Sequence, residues 1–548
     1  MTQRRARPPG RGRGDPLAAT RGMALGTLAS RGTGFIRTLV IAAAIGTTVG
    51  DAYNIANTIP NIIYELLLGG VLTSVVVPLI VSAAKRDGDR GEAYAQRLLT
   101  LVVVGLAAAS VLGVAFAPLI SRAYFGSGPE VARRVALATV FARFLLPQIL
   151  FYGVGALLGA ILNVRGSFAP PMWAPVLNNI VVILTGGLFI AVTSVAGVQA
   201  GRLTAGQEFL LAGGTTLGIV AQTVALLPAL RQVRFRIRLR WDLRGVGLAQ
   251  AGRLAGWVFV YVLANQAAYL GITRLAAHSS YGGAGGGVYS IYTYAFILAL
   301  LPHSVVAVSV ITALLPRMSA SAAEGRHQAV ADDLAHGIKL SAVVLVPAAL
   351  ASIALGPLIG TVLFAHHANS LSTGRLIGAT LAGYAVSLVP FSAFQLQLRA
   401  FYALHDTRTP ALVNIALAAI NLAVDGVLFL ALPPREQVVG LALGYSASYI
   451  AGYAWFSVVL RRRLGRRPQA RVGRTLVRLT LAAGVAAVPA YLLARMVTTV
   501  MGLGIMGSLL GIGAGLAVGT PAYLAVVERM RIPELAEVSD LARARWRP

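Results

Sequence analysis

Uninterrupted apolar segments recur along almost the whole chain, and each is long enough to cross a lipid bilayer. Of the 548 residues, 57% are hydrophobic and only 12% are charged, whereas soluble domains are about 45–50% apolar and about 25% charged. A spanning helix needs about 20 apolar residues, and these segments are far longer than the roughly 9–11 residues of a barrel strand. The sequence therefore predicts an all-α polytopic membrane protein.

Fourteen such segments can be placed, and their order sets the predicted organisation. The predicted spans are 23–49, 52–83, 94–121, 133–163, 170–195, 206–230, 248–277, 286–315, 331–363, 374–404, 410–432, 437–460, 474–499 and 503–528. The predicted divisions are a disordered basic cytoplasmic tail (1–22), an N-lobe with spans one to six (23–230), a basic cytoplasmic linker (231–247), a C-lobe with spans seven to twelve (248–460), a basic loop with the last two spans (461–528) and a cytoplasmic C-terminal tail (529–548).

The net charge of +28 is concentrated in alternate loops. Because basic loops stay in the cytoplasm, both termini are predicted to be cytoplasmic, which requires an even number of spans. A basic total is also compatible with nucleic-acid binding, but cations placed between apolar segments favour anionic lipid headgroups as their partner. We therefore predict that the protein interacts with the lipid bilayer and does not bind nucleic acid. The basic loops contain Lys85, Arg86 and Arg90; Arg165; Arg231–Arg244; Arg317 and Arg326; Arg408; and Arg461–Arg471.

Two stretches of sequence occur twice at nearly the same offset. Thr73–Lys85 is similar to Thr312–Glu324, and Pro147–Arg165 is similar to Pro390–Arg408. Six helices separate the copies, so we predict two six-helix lobes related by an axis along the membrane normal, with two C-terminal helices outside the repeat. Such parallel repeats enclose a substrate site near the bilayer midplane. The alternative is chance similarity between apolar helices.

The first span carries Arg31 and Arg37 within an apolar segment. A charge inside a span costs about 3 kcal/mol on insertion scales, so each one invites a functional interpretation. Gly32 and Gly34 lie between them and allow the helix to bend. Guanidinium groups bind phosphate oxygens bidentately, which predicts a diphosphate site. The alternative is that both side chains extend to the cytoplasmic headgroups.

The second span carries a polar stripe. Asn54, Asn57, Asn61 and Glu65 follow the i, i+3, i+4 spacing that places side chains on one helix face. Such a stripe must face protein or water rather than lipid, so we predict that it lines the substrate site. Hydrogen bonding between helices is the alternative. Asp51 precedes the stripe at the outer boundary of the membrane. We predict that it is a further binding residue, and the alternative is that it is simply solvated.

The eleventh span carries Asn421 and Asp425 one helical turn apart, with Asn414 on the same face. One buried carboxylate beside an amide is suited to Na⁺ or to proton transfer, and the alternative is a structural hydrogen bond. Arg399 is a candidate partner of Asp425 or of a substrate phosphate. Two further cations within spans that we select as candidates are Arg143 and Arg274.

Sequence signatures of an enzyme are missing. The chain has no cysteine, which excludes disulfides and thiolate metal sites. We find no P-loop, no metal-ligand cluster and no nucleophile–base constellation, so we predict no catalytic residues, no metal and no cofactor. A membrane-embedded glycosyltransferase is the enzymatic alternative. It would need paired carboxylates, and Asp51, Glu65 and Asp425 form no convincing pair.

Three motifs carry a family resemblance. Ser30-Arg31-x-x-Gly34-Phe35-x-Arg37, Asp51-Ala52-x-Asn54-x-Ala56-x-x-x-Pro60-Asn61 and Phe401-Tyr402-Ala403-x-x-Asp406-Thr407-x-Thr409-Pro410 resemble those of the MurJ/MviN lipid II flippase family of the MOP transporter superfamily. The similarity covers roughly residues 23–528. The high arginine, alanine and glycine content resembles an actinobacterial member.

The resemblance implies transport of a peptidoglycan precursor. Undecaprenyl-diphosphate-linked lipid II would move from the inner to the outer leaflet of the bacterial cytoplasmic membrane by alternating access, driven by membrane potential or a Na⁺ gradient. Arg31 and Arg37 match cavity arginines of the family, and Asp51 matches its acid at the second span. Asn421 with Asp425 resembles part of a sodium site in some relatives. Cell-wall synthesis or division proteins would be the protein partners.

The sequence also departs from the family pattern. Tyr64, Ile272, Phe296, Ile297 and Leu300 stand where better-known relatives carry charged residues. A diphosphate clamp would have to be built differently, and the candidate replacements are Arg143, Arg274 and Arg399. The alternatives are an exporter of the same superfamily for another polyprenyl-linked oligosaccharide or a small molecule, and a scaffold that recruits cell-wall enzymes without transporting. A drug antiporter would need cavity acids rather than arginines.

Overall fold

A computed structural model describes residues 16–66, 80–81, 89, 91–129, 131–242, 266–278, 287–464, 467–535 and 537. The side chains of 16–24, 64–66 and 467–471 are outside this description. Much of the predicted span 52–83 also lies outside it, together with the side chain of Glu65 and all of the repeat copy Thr73–Lys85 except residues 80–81. Helix begins at Pro16, inside the segment predicted to be a disordered tail.

Every regular element in the described part of the chain is an α-helix, as predicted. The helices are α1 (Pro16–Ile45), α2 (Thr48–Leu66), α3 (Glu92–Phe125), α4 (Ala132–Leu145), α5 (Gln148–Val164), α6 (Ala169–Val192), α7 (Val195–Gln199), α8 (Ala205–Val224), α9 (Leu227–Gln232), α10 (266–278), α11 (Val288–Val305), α12 (Ala307–Ala323), α13 (His327–Phe364), α14 (Leu371–Ala385), α15 (Leu388–Ala403), α16 (Arg408–Ala431), α17 (Gln437–Leu464), α18 (Arg467–Met501) and α19 (Ile505–Arg529).

The number of membrane spans is lower in the described residues than the fourteen predicted. Ten helices are long and apolar enough to cross a membrane, and the pair α14–α15, bent by 48°, makes eleven if it crosses as one span. Helix α17 has 28 residues, which is about 42 Å at about 1.5 Å per residue, but its composition is more polar. The predicted spans 52–83 and 248–277 lie partly outside the described residues, so the count of fourteen stays a prediction.

The second repeat pair adopts the same local structure in both copies. The predicted spans 133–163 and 374–404 are each broken near their middle, before α5 and before α15. Prolines at these breaks lack the N–H that would continue the helix. Both α5 and α15 then end in a left-handed residue, Gly166 (φ 80°) and His405 (φ 58°), followed by a backbone hydrogen bond that spans the turn.

Helix packing follows the same scheme in the two halves. Helix α3 packs on α4 and α5 as α13 packs on α14 and α15, and α6 packs on α8 as α16 packs on α17. The last two helices, α18 and α19, pack on each other and against α13. The chain therefore forms two similar lobes, with α18 and α19 attached to the C-terminal one.

The Asp-Thr-x-Thr-Pro motif begins α16. One oxygen of Asp406 accepts a hydrogen bond from the Thr409 backbone N–H at 2.9 Å, and the other accepts from the Thr409 hydroxyl at 2.7 Å and from Arg463 at 2.6 Å. Burial acts to raise the pKa of Asp406, but the bonds from Thr409 and Arg463 outweigh it and hold the pKa below its ordinary value. The motif thus caps one helix and ties it to the end of α17.

Candidate substrate-binding cavity

The two ends of the helix bundle differ in charge. We call one the basic end, because its loops contain Arg165, Arg408 and the run Arg461–Arg463. We call the other the neutral end, because the connections there at 46–47, 365–370 and 502–504 contain no lysine, arginine or acid, although two further connections there carry Arg202 and the adjacent pair Arg435 and Glu436. Helix α1 runs from the basic end to the neutral end, and α2 returns toward the basic end.

At the neutral end a buried carboxylate joins the lobes. Asp51 begins the N-lobe helix α2, and its side chain is only 1% exposed. Its two oxygens accept backbone N–H groups of Gly287 and Ser290, both at 2.7 Å. These donors form the start of the C-lobe helix α11, where the helix dipole favours a negative charge. Asp51 therefore acts as an end cap supplied by the opposite lobe.

Further hydrogen bonds seal the same end. The backbone N–H of Ala368 donates to the carbonyl of Ala43 at 3.1 Å. The Asn369 amide donates to the carbonyl of Ala42 at 2.8 Å. The Arg274 side chain, one of the predicted substrate residues, donates to the carbonyl of Ala123 at 2.6 Å. The described contacts between the lobes at the neutral end thus include one backbone–backbone hydrogen bond and several between a side chain and a backbone group.

Toward the basic end, an exposed arginine crosses from one lobe to the other. Arg31 on α1 donates a hydrogen bond to the carbonyl of Ser304, near the C-terminus of α11. That position carries the negative end of the helix dipole. Arg31 does not line the cavity described below, so in this structure it serves as a contact between lobes.

A cavity of about 1640 Å³ lies between the lobes. Its wall runs from Tyr53, near the sealed neutral end, to Thr407 and Arg408 at the basic end. Among the described residues that line it, the charged ones are Arg37 and Arg408, and both are cations. Arg37 is half-buried and makes no hydrogen bond or ion pair with the described residues. The described lining of the chamber is therefore electropositive and suited to an anion.

The N-lobe wall is rich in amides. The Asn54 amide donates to the Ser290 hydroxyl at 3.0 Å, and Asn61 accepts from Tyr152 at 3.1 Å. Other side-chain oxygens are buried without a partner, and an unpaired buried polar atom is costly. Turned toward the chamber, they would accept hydrogen bonds from a ligand rich in hydroxyl and amide N–H groups. The unpartnered oxygens on this wall belong to Asn57, Gln148 and Asn178.

The C-lobe wall contains an apolar and aromatic patch beside its polar residues. Ile272, Phe296, Ile297 and Leu300, four of the positions that depart from the family pattern, all line the cavity. The side chains that replace the family's charges therefore face the chamber itself. Tyr64, the fifth such position, has a side chain outside the described residues.

The structure separates the predicted binding residues into two groups. Arg37 and the three asparagines of the α2 stripe line the cavity together with Asn421. Arg143 is exposed and lines no part of it, and Arg399 has its Nε buried without a partner, 5.9 Å from its guanidinium carbon to the Tyr402 ring centre. The residues of the prediction that do not line it are Arg31, Asp51, Arg143, Arg274, Arg399 and Asp425.

Sequence reasoning missed Arg408, Gln148 and Asn178 as lining residues. Arg408 lies within the Asp-Thr-x-Thr-Pro motif, and that motif is a signal that could have identified it as a lining residue. The position of Arg408 among the basic residues between two spans indicates only the membrane orientation. The two amides have no repeating pattern around them. Asn414, which shares a helix face with Asn421 but is not among the predicted binding residues, also lines the cavity.

Asp425 lies directly behind the cavity wall. It is 0% exposed, its Oδ2 accepts the Asn421 amide at 2.9 Å, and its Oδ1 is buried without a partner. The Gly444 backbone lies against this carboxylate, and a Cβ at Gly444 would come within 1.9 Å of Oδ1. Within the described ranges no group of three or more His, Cys, Asp or Glu side chains is placed to hold a metal ion.

Comparisons with known proteins agree on one family. The family model described as "Lipid II flippase MurJ" matches residues 41–514. The lipid II flippase MurJ of Burkholderia cenocepacia is 26% identical over 401 residues, covering 72% of this chain and 75% of that protein. A probable lipid II flippase MurJ of Rhizobium meliloti is 28% identical over 448 residues, covering 79% and 77%.

Solved structures show the same fold. A lipid II flippase MurJ in an inward closed conformation superposes with a TM-score of 0.73 at 19% identity, covering 93% of this chain and 99% of that one. An inward-facing multidrug resistance MATE transporter of the MOP superfamily gives 0.62 at 17% identity, covering 78% and 94%. The family model spans most of the sequence, and the fold agrees with it. This chain belongs to the lipid II flippase MurJ family.

Proposed function

We propose that this chain translocates lipid II from the inner to the outer leaflet of the bacterial cytoplasmic membrane, as a transporter rather than an enzyme. Membership of the family supports the substrate. The observation that carries the proposal is the electropositive chamber, whose described charged lining residues are Arg37 and Arg408. Lipid II has an anionic diphosphate joined to a headgroup of sugars and peptide, which matches cations beside a wall of amides.

The direction follows from the basic-loop rule. Basic loops remain in the cytoplasm, so we assign the basic end, and with it both termini, to the cytoplasmic side. The chamber reaches Arg408 at that end, while Asp51 seals the opposite end. This arrangement would receive the headgroup from the cytoplasmic leaflet. Release to the outer side would require the Asp51 hydrogen bonds to break at the neutral end. The lobes would also have to approach each other at the basic end, near the Arg31–Ser304 contact.

A complementation experiment tests the substrate. Expression of this chain in a bacterium depleted of its own lipid II flippase is expected to restore growth and to clear the precursor that accumulates during depletion. Mass spectrometry of the lipid extract identifies which precursor disappears. An inserted protein that leaves lipid II undiminished, or that clears a different polyprenyl-linked oligosaccharide, would contradict the proposal. A non-transporting scaffold would likewise leave the precursor unflipped.

We propose further that Asp425 carries the coupling cation. An ionised carboxylate at 0% exposure, with one oxygen unpartnered, is costly unless a proton or a cation neutralises it. Asn421 touches both this carboxylate and the cavity, so a cation held at Asp425 is linked to the substrate chamber. Na⁺ or a proton, drawn inward by the membrane potential, would then favour one arrangement of the lobes.

Asp425→Asn is expected to remove the dependence of transport on the cation gradient, because the amide keeps the shape but cannot exchange a proton or bind Na⁺ strongly. Lipid II transport into vesicles, measured with Na⁺ and pH gradients varied separately, identifies which ion matters. Asp332→Asn is the matched control, since it removes an exposed acid on α13. Unchanged Na⁺ and pH dependence in the Asp425 variant would refute the assignment and leave the substrate proposal intact.

A further inference from the structure

The linker between the lobes begins with a strictly alternating sequence. Residues 233–242, which we call the strap, read Val-Arg-Phe-Arg-Ile-Arg-Leu-Arg-Trp-Asp. Arginine occupies every even position from 234 to 240, and an apolar residue occupies every odd position from 233 to 241. Beyond a turn at its start, the strap is non-helical. In an extended chain, this alternation places cations on one side and apolar side chains on the other.

The strap is fixed along the start of α3. The Gln96 amide donates to the Arg236 carbonyl at 2.7 Å, and the Arg240 backbone N–H donates to the Thr100 hydroxyl at 2.7 Å. At the far end, Asp242 pairs with Arg97 at 2.6 Å. These contacts lie within the first nine residues of α3, about 14 Å of helix, so the strap has a definite position relative to α3.

That position is where α3 enters the membrane. Helix α3 has 34 residues, and at about 1.5 Å per residue it is about 51 Å long, longer than the ~30 Å hydrocarbon core. With the core centred on the helix, about 10 Å of helix extends beyond the core at each end, so we place the first turns, which the strap follows, at headgroup level on the basic end. The predicted span 94–121 places the boundary at the same turns.

The apolar side of the strap is covered by protein only at its start. Phe235 is 4% exposed and packs under Arg165, whereas Ile237, Leu239 and Trp241 are 48%, 51% and 70% exposed. The last three side chains on the apolar side of the strap are thus exposed, and the final one is a tryptophan. Tryptophan is enriched at the membrane–water interface, where its apolar ring and its N–H are both satisfied.

The cationic side is also available. Arg234, Arg236 and Arg238 are exposed, and their side chains make no ion pair with the described residues. Arg240 differs, because its Nε donates to Gln96 at 2.9 Å. Three free guanidinium groups interleaved with three uncovered apolar side chains match a surface that is both anionic and apolar. A nucleic acid or an acidic soluble protein would leave the apolar side in water.

We propose that the strap binds anionic phospholipid headgroups of the leaflet at the basic end. Ile237, Leu239 and Trp241 enter the interface between headgroups and acyl chains, and the three free arginines contact the lipid phosphates. The site is separate from the substrate chamber and does not depend on which substrate the chamber takes. Because the strap opens the linker between the lobes, this binding holds the N-lobe end of that linker at the bilayer surface.

Tryptophan quenching tests the proposal directly. The chain has five tryptophans, and replacing the other four with phenylalanine leaves Trp241 as the single reporter. The protein is reconstituted in phosphatidylcholine vesicles containing phosphatidylglycerol, with bromine on the chains of one lipid or the other. We expect brominated phosphatidylglycerol to quench Trp241 at least about twofold more per molecule than brominated phosphatidylcholine. High salt should remove the preference in the same protein, because it screens the headgroup attraction.

A triple variant locates the effect on the strap. Arg234→Gln, Arg236→Gln and Arg238→Gln together should make the two brominated lipids equally effective. The matched control loses the same charge at the same end of the molecule but away from the strap, and should keep the preference. Equal quenching by both lipids in the single-tryptophan protein with all its arginines, or no quenching by either, overturns the proposal. The control substitutions are Arg462→Gln, Arg529→Gln and Arg531→Gln, all at exposed side chains.

Discussion

Arg37→Ala is expected to abolish lipid II translocation while the protein remains folded and inserted. Arg37 is one of two charged residues among the described residues lining the chamber, and it makes no hydrogen bond or ion pair with them. Its removal therefore breaks no described polar contact of the fold. Hydrogen bonds to charged groups contribute about 1.5–3 kcal/mol each, so losing a bidentate phosphate contact should reduce transport about 100-fold or more.

Growth of a flippase-depleted strain, together with the level of accumulated lipid II, measures this effect. Arg37→Lys keeps the charge but loses the planar fork, so it should retain part of the activity. Arg143→Ala is the matched control, because Arg143 lies in the N-lobe but is exposed and outside the chamber. Normal growth of the Arg37→Ala strain at equal expression would show that the anion site lies elsewhere.

Asp51→Asn is expected to open the neutral end. The buried carboxylate of Asp51 accepts N–H groups from the start of α11 at 2.7 Å on both oxygens, and an amide offers only one acceptor oxygen for the two donors. Gly287, one of the donors, has a φ of 107° and lies against Thr47, so this junction is closely packed. Loss of one such bond, about 1.5–3 kcal/mol, should raise the outward-open population about tenfold or more.

Cysteine accessibility measures this shift. The chain has no native cysteine, so Thr293→Cys in the cavity wall introduces a unique thiol. A membrane-impermeant maleimide applied to the outside of cells should label it slowly in the parent and faster when Asp51→Asn is added. Asp332→Asn, with the same loss of charge at an exposed position, should leave the rate unchanged. Equal labelling of the parent and Asp51→Asn proteins would mean that Asp51 does not hold the neutral end closed.

The α2 stripe and Arg37 were predictable as lining residues because the membrane allows few alternatives. A polar side chain on an apolar helix must turn toward protein or a wet chamber, and spacing along one helix is enough to say which residues do so together. The same argument could not place Asp51 or Arg274. Both are bound to backbone groups of the opposite lobe, Gly287 and Ala123, which are far away in the chain.

The positions where the sequence lacks the charged residues of the family show the same limit of prediction from sequence. The sequence indicated that Ile272, Phe296, Ile297 and Leu300 depart from the family, and the structure places all four on the chamber wall. Which cation accompanies Arg37 could not be inferred, because a position within one span does not show which side chains of other helices face the same chamber. Arg408 lies at a helix end, yet it lines the chamber, which extends to the basic end.

The sequence alone determined that this chain is an all-helical membrane protein of the MurJ family. Hydrophobicity adds up residue by residue along each segment, and short motifs carry the family resemblance, so neither needs knowledge of distant contacts. The tertiary structure decided which charges share the chamber and which end of the bundle is sealed. Those properties depend on pairs of groups brought together from separate lobes, and no local pattern specifies which groups will face each other.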